Sequence, residues 1–512
     1  MTATLDRYLD HSAEAHGGRP FILFEGARIE YAPFARRVRR LAEGLRRAGL
    51  GPGDRVALAL GNVPEFAEAA FALFRVGATA APVNHFLTPP EVDVLLRRIE
   101  PAAWIAEGDF AGILPKDRVP PKGRYLAHGE RAGWVPFEDL AKGGEIEGGH
   151  PRPAPDDGAL LLFTSGTEGD PRGVLLTHRN LTANVDQCAQ ALGPGPSDRF
   201  LLFLPLFHTF SLTVCLFLPA AIGAAIVLVR SARNFPAIMR DEVLRKKVTY
   251  FIGVPAVYNA LARKKIPLLF RKLHRIRVMV SGSAPLPVET IEKVEKTFGA
   301  PLLEGYGLTE AGPVVSVNRP GRSRRGTVGP PLPGVEVRIV DQGGKEMAVR
   351  EIGELLVRGP NVAECYLGGS SPVREGWLST GDLASLDDDG AITIHDRKRD
   401  LILVRGINVY PREVEEAIAA HPDVAAAAVV RAADRLRGEV PRAFVVPAED
   451  REVIPAEIVR FLRGRLAPYK IPAHVEILRE LPRGATGKVL RRVLADRPLA
   501  PSTTPPPLEE LG

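Results

Sequence analysis

Cysteine is nearly absent from this sequence. Its 512 residues hold three, Cys188, Cys215 and Cys365, far apart and never as CxxC. That spacing excludes a disulfide framework and the common zinc patterns, and a cytoplasmic setting is expected. A Walker A loop is missing too, since GxxxxGK[ST] occurs nowhere. The N-terminal stretch MTATLDRYLDHSAEAHGG carries acids and no apolar core, so no secretory leader is expected. Charge of one sign is weak: 67 Lys plus Arg against 61 Asp plus Glu leave +6. That argues against a nucleic-acid partner and for a mild preference for small anions. Long apolar runs are equally scarce. Residues 211–229, SLTVCLFLPAAIGAAIVLV, form 19 uncharged residues, about the length that crosses a bilayer. Pro219 and Gly223 interrupt the run and its second half is β-branched, so a buried helix, a turn and a buried parallel strand are expected instead of a span. Peripheral membrane contact and a homodimer stay open.

What is present is an ordinary globular composition, 45% hydrophobic and 25% charged, on a chain too long for one core. From residue 31 helical and strand patterns alternate. YAPFARRVRRLAEGLRRAGL sets Phe34, Val38, Leu41 and Leu45 on one helical face, and RVALAL reads as a buried strand. A helix over 64–76, a strand over 78–83 and a helix over 89–100 follow, with further strands near 200–205, 225–229, 249–252 and 276–281. Such alternation implies an α/β fold, parallel sheets covered by helices. Residues 326–395 change character: VEVRIV, GELLVRG and AITIH lie between GG, GP and DDDG turns, as in antiparallel or barrel-like structure. After DRKRD an α+β unit is expected, with a helix at PREVEEAIAAH and strands at VAAAAVVR and RAFVVP. No internal repeat is apparent, and the Pro-rich end, 496–512, is expected to be disordered.

The stretch LLFTSGTEGDPRGVLLTH, 161–178, poses the functional question. Its glycines and hydroxyls could cradle phosphate through serial N–H groups, while VLLTHRNL could start a helix. Alone, such a stretch is more often an ordinary turn. Its company is more specific. LPLFHTF at 204–210, SGSAPL at 281–286, EGYGLTE at 304–310, STGD at 379–382, DRKRDLILVRGINVYPREVE at 396–415 and LPRGATGKVLRR at 481–492 follow it. The seven stretches, in this order, resemble the motifs of the adenylate-forming superfamily: acyl-CoA synthetases, beetle luciferases and peptide-synthetase adenylation domains. The likeness covers roughly residues 1–495 and is nearest to bacterial fatty acid CoA ligases.

The resemblance implies a large N-terminal domain (1–396) of two helix-covered sheets plus a barrel-like β subdomain, which binds ATP and the acid. It implies a hinge at 397–400 and a small mobile α+β domain at 401–495. It also implies ATP, Mg2+ and CoA as cofactors and a carboxylic acid as substrate. Thr164, Ser165, Gly166, Thr167 and Gly169 would hold the outgoing pyrophosphate. Gly282, Ser283, Ala284, Glu304, Gly305, Tyr306 and Gly307 would surround the adenine, with Tyr306 offering a flat face. Thr309 and Glu310 would meet the α-phosphate and the magnesium, which needs only a few hard oxygens. Asp382 and Arg397 would contact the ribose. Lys488 would be the cation that bridges carboxylate and α-phosphate. Gly406 would let the pantetheine arm pass close to the backbone, and the hinge would turn at Arg399 and Asp400.

The acid pocket is expected from Phe207, His208, Phe210, Val254 and Ser283, which are apolar or small apart from His208. His208 could orient the carboxylate or simply pack; His178 reads as structural. With no acid or base committed to a second polar group, a medium or long fatty acid is favoured. An aryl acid, a carrier-protein acceptor and a degenerate nucleotide-binding protein are the alternatives. Three residues depart from the family pattern: Glu168 for Thr, Arg172 for Lys, and Arg399 for Lys or Asp. Asp170 is expected to face solvent, and Glu168 to do so too or to reach the magnesium. Glu168→Thr is then expected to keep or raise adenylation, measured as ATP–pyrophosphate exchange; abolished exchange would make Glu168 a working ligand.

Overall fold

The computed structural model describes residues 4–115, 118–143, 152–164, 172–232, 235–264, 266–404, 407–434, 437–484 and 488–499. The chain divides into two compact units, Met1–Val337 with Val357–Ser379, and Arg338–Leu356 with Thr380–Gly512.

The first unit holds two eight-stranded sheets. One runs in the order Val314–Val317, Leu302–Gly307, Val278–Ser281, Tyr250–Gly253, Arg199–Leu202, Ala225–Leu228, Pro20–Phe24, Ala27–Glu30. Its six middle strands are parallel and each end is closed by an antiparallel strand. The other carries Cys365–Tyr366, Arg172–Thr177, Gly158–Thr164, Thr79–Pro82, Arg55–Ala59, Ala103–Ala106, Arg124–Leu126 and Val135–Pro136, parallel from the third strand on. Both faces of the central strands are buried, which is why they read as unbroken apolar runs and not as alternation. The Tyr31–Arg47 helix buries Phe34, Val38, Leu41 and Leu45, the expected face. Pro64–Val76 is buried nearly all round, and Phe34, Phe71, Phe74 and Phe217 meet edge to face along it at 5.7 to 6.4 Å.

The uncharged 211–229 run resolves as expected into helix, turn and strand. Ser211–Phe217 is π-helical, Leu218–Ile222 α-helical, and Ala225–Leu228 pairs in parallel with Arg199–Leu202. Among the described residues no helix is long and apolar enough to cross a membrane. One expectation shifts. VLLT does not start a helix but ends the Arg172–Thr177 strand, and His178–Leu192 begins after it. Thr177 and Asn180 form a reciprocal cap there, which sets the boundary. His178 is buried, takes a hydrogen bond from Leu5 N on Nδ1, and burial pushes its pKa down to about 4.

Within 326–395 the expected short strands are present in a five-stranded sheet. Val373–Arg374 pairs antiparallel with the start of Trp377–Leu386, and the end of that strand pairs with Ile392–Arg397. The second unit adds the predicted helix, Pro411–Ala419, over the long antiparallel pair Val424–Asp434 and Gly438–Pro447, with His474–Ile477 parallel to the latter. Ile402, Val414, Ile418, Val429, Val445, Ile458 and Leu462 form its core.

Gly223 is the pivot of the helix-to-strand turn. Its φ is +74°, and a Cβ there would come within 2.0 Å of the His16 ring. Gly223→Ala is therefore expected to destabilise the protein by about 2 kcal/mol or more, read as a shift in denaturant midpoint; an unchanged midpoint would mean that helix Leu5–His16 yields without cost.

Candidate active site

Four neighbouring parallel strands deliver the predicted residues to one edge. The loop after Arg199–Leu202 carries Phe207, His208 and Phe210. Val254 follows Tyr250–Gly253, and Gly282, Ser283 and Ala284 follow Val278–Ser281. Glu304 to Gly307 end their own strand and lead to Thr309 and Glu310. Ligands of parallel sheets bind outside these carboxyl ends. Ser283 sits at φ +75°, a left-handed conformation that is uncommon for serine and typical of functional turns. A Cβ at Gly307 would lie 2.1 Å from the Pro313 carbonyl oxygen, so the chain can fold back there only on glycine.

Between these loops lies a narrow apolar pocket. Phe210, Gly282, Ser283, Gly305, Tyr306 and Gly307 line it from the predicted set, joined by Cys188, Leu192, Val214, Val280, Pro313, Val314 and Val317. Phe207, His208 and Val254 are not in that lining. The Phe207 ring turns instead to His85 at 5.2 Å and Phe86 at 5.9 Å. His208 heads the helical turn: its carbonyl accepts from Ser211 Oγ at 2.9 Å and Leu212 N at 3.1 Å. Val254 caps the Pro255–Arg263 helix. No lining side chain is charged, and burial pushes the Cys188 thiol up to about 12, so it stays neutral.

The turn that bears Thr309 and Glu310 is held by residues the sequence does not advertise. Asn184 accepts from Val314 N at 3.0 Å and donates to Val314 O at 2.7 Å. Asn361 donates to Ala311 O at 2.7 Å, and Thr213 to Gly312 O at 2.9 Å. Asn180 donates to the carbonyls of Pro360 and Val362, fixing the strap from which Ala363 N donates to Glu310 O at 2.7 Å. The Thr209 and Thr309 hydroxyls are 3.4 Å apart. The Glu310 carboxylate accepts from the Tyr366 hydroxyl at 3.2 Å, and Arg172 stands over that ring at 5.9 Å. Burial, reinforced by the Glu310 charge, pushes the Tyr366 hydroxyl up to about 12. Arg172, a departure from the family pattern, thus has a stacking partner. Asparagines inside helices carry no periodic signal, so only the contacts find them.

In the second unit Asp382 and Arg397 stand opposite each other in the strand pair. Arg397 Nε donates to buried Asp382 at 2.8 Å. Lys488 joins them. Although the residue as a whole is exposed, its neighbours strip water from the ammonium and lower its pKa; Arg397 and Arg399 add repulsion and Asp382 opposes it. Three residues on from the lysine, Arg491 is ringed by acids: both Glu415 oxygens at 2.7 Å, Asp400 at 3.3 Å and Asp396 at 3.7 Å. Asp396 also accepts from the backbone N–H groups of Arg397 and Arg412. This brace ties the Lys488 stretch to the segment expected to turn.

Ser165, Gly166, Thr167, Glu168, Gly169, Asp170 and Gly406 lie outside the described residues, as does the side chain of Thr164, which ends the Gly158–Thr164 strand. Among the described residues no group of three or more His, Cys, Asp or Glu could hold a metal. A single carboxylate beside a hydroxyl, as at Glu310 and Thr309, still suits magnesium, which keeps waters and takes phosphate oxygens.

Comparison with known proteins agrees with this layout. Residues 9–367 match the AMP-binding enzyme family, and residues 413–488 its C-terminal domain. The chain is 33% identical to a long-chain-fatty-acid–CoA ligase of Yersinia pestis over 98% of its length and 96% of that protein's. It is 35% identical to a feruloyl-CoA synthase of an Amycolatopsis species, over 91% of this chain and 93% of the other. Its fold is similar to that of ATP-bound MatB from Rhodopseudomonas palustris, with TM-score 0.87, 30% identity and coverage of 97% and 98%. The chain therefore belongs to the AMP-binding enzyme family and is an AMP-forming acyl- or aryl-CoA ligase that uses ATP, Mg2+ and CoA.

Proposed function

We propose that this ligase activates a medium- or long-chain fatty acid. The observation that carries the reading is the pocket: an uncharged, apolar cleft that runs from Cys188 and Leu192 up to Gly282, Ser283 and Gly305 to Gly307. An alkyl chain would lie in the cleft with its carboxylate toward Thr309. Tyr306, Ser283 and the surrounding backbone would take the adenine. Asp382 would accept from the ribose hydroxyls and Arg397 would orient it. The loop from Thr164 to Gly169 would hold the β- and γ-phosphates.

The chemistry then follows in two steps. A carboxylate oxygen attacks the α-phosphorus in line, the bond to the bridging oxygen breaks, and pyrophosphate leaves. Lys488, whose lowered pKa reflects a poorly hydrated ammonium, stabilises the charge that gathers between the two reactants. Magnesium, when bound by Glu310, neutralises phosphate charge. In the second step the CoA sulfur attacks the acyl carbon, AMP leaves, and the thiol proton passes to solvent. For this step Lys488 would withdraw as the chain turns about Arg399 and Asp400, and Gly406 would admit the pantetheine arm. In this scheme 1–396 would act as the adenylation domain and 401–495 as the mobile domain.

An aryl acid is the second reading. It is favoured by the 35% identity to the feruloyl-CoA synthase.

A panel of C2 to C18 and aryl acids in ATP–pyrophosphate exchange is expected to give its highest rate with an aliphatic acid, followed by CoA consumption; a maximum on ring acids would replace the fatty-acid assignment. Lys488→Ala is expected to cut exchange at least about a hundredfold while sparing thioester formation from supplied acyl-AMP. Equal loss of both steps would remove Lys488 from the adenylation step alone. Val214→Phe, which fills the cleft, is expected to lower kcat/KM for long acids about tenfold or more and to leave short acids close to wild type. A uniform drop for all acids would mean that the long chain lies elsewhere.

A further inference from the structure

No acid occurs from residue 243 to residue 288, a stretch of 46 residues that carries ten Lys or Arg. An exposed part of it is the short helix Leu268–Leu273 with the residues that follow it, up to the Val278–Ser281 strand. Leu269 and Leu273 are 69% and 51% exposed, four residues apart and so on one helical face. Lys264, Lys272 and Arg275 are exposed around them. The leucines have no inward alternative, because the inner face is already occupied. Phe270 is buried against Phe298 at 6.2 Å and stacks on His274 at 5.8 Å, and Ile276 is buried. Arg271 fastens the helix by donating to the carbonyls of Thr297 at 2.9 Å and Lys296 at 3.2 Å.

Most of the acids on neighbouring elements are already engaged by other cations. Glu292 and Glu295 are both held by Arg325, at 3.4 and 2.9 Å. Asp241 binds Arg240 and Arg245, Glu242 binds Lys246, and Asp198 binds Arg277. What remains is a rigid pair of outward leucines set among cations. A polyanion alone would use the charge and waste the leucines. A bilayer with acidic headgroups uses both, since leucines enter the acyl boundary while Lys and Arg stay at the headgroups.

We infer that the surface formed by Leu269, Lys272, Leu273 and Arg275 docks this ligase on membranes of anionic lipid. Two leucines and a few cations give a reversible, salt-sensitive attachment and not an anchor. The surface is also connected to the pocket. Arg277 donates to the Tyr250 hydroxyl at 3.1 Å, that hydroxyl donates to Leu192 O at 2.9 Å, and Leu192 lines the cleft. If the substrate is a long-chain acid, which partitions into bilayers, docking brings the enzyme to its supply. The docking itself does not depend on that reading.

The test is co-sedimentation of the full chain with vesicles of phosphatidylcholine containing phosphatidylglycerol, against phosphatidylcholine alone and duplex DNA, at low and high salt. Binding is expected to require phosphatidylglycerol, to fall with salt, and to drop about tenfold or more in both Leu269→Ser/Leu273→Ser and Lys272→Glu/Arg275→Glu. Pyrophosphate exchange with a water-soluble short acid is expected to stay at wild-type level in both variants, which shows that they fold. Equal binding to neutral vesicles, or variants that bind like wild type, would overturn the inference. So would DNA binding that needs the cations and ignores the leucines. Vesicle binding is read without ATP, acid or CoA, so its failure leaves the fatty-acid assignment untouched.

Discussion

The site depends on one constraint: a stretch of backbone that leaves a sheet must still satisfy its polar groups. After the Leu302–Gly307 strand the chain turns through Thr309, Glu310 and Ala311 and returns as Val314–Val317. The turn lies against buried helices, where an unpaired carbonyl costs more than a hydrogen bond gains. Asn184, Asn361 and Thr213 meet that demand from three separate elements, two of them in helices that sequence patterns would assign to packing alone. Their side chains fix where the Glu310 carboxylate stands before any ligand arrives. Preorganisation of that kind is what a charge-gathering reaction requires.

The second unit solves a different problem. Placing a lysine there is electrostatically awkward: desolvation lowers the Lys488 pKa, Arg397 and Arg399 add repulsion, and Asp382 opposes both. Arg491 supplies the geometry. A guanidinium shared by Glu415, Asp400 and Asp396 locks the Pro411–Ala419 helix, the Arg397–Asp400 segment and the Lys488 stretch together. Burial pushes Glu415 up to about 7 despite Arg491, so this brace joins groups whose charges the fold has made costly.

Much of this was legible from residues alone. Element positions from 31 to 100 could be read because helices there bury one stripe and strands bury both faces, two patterns that differ in period. The motif order gave the family, and Phe210, Ser283 and Tyr306 reached one pocket. Phe207, His208 and Val254 are not in its lining: the Phe207 ring faces His85 and Phe86, His208 heads a helical turn, and Val254 caps the helix Pro255–Arg263. The asparagine frame, Tyr366 beside Glu310, and the Arg491 brace were invisible. Each joins residues dozens to hundreds of positions apart, and polar contacts at that range leave no local signature.

The ladder of the parallel sheet also acts as a ruler. The strands ahead of the His208, Val254, Ser283 and Tyr306 loops are successive neighbours, so three strand spacings of about 4.8 Å separate the first loop from the last, about 14 Å in all. Backbone hydrogen bonds set that distance and side-chain substitution cannot stretch it. If the acid lies in the cleft, room for a longer or wider one would come from lining side chains such as Cys188, Leu192 and Val317, which can be exchanged without breaking a ladder bond. On the proposed assignment of this cleft to the acid, substrate range would be free to drift along one axis while the spacing of the strand ends stays fixed.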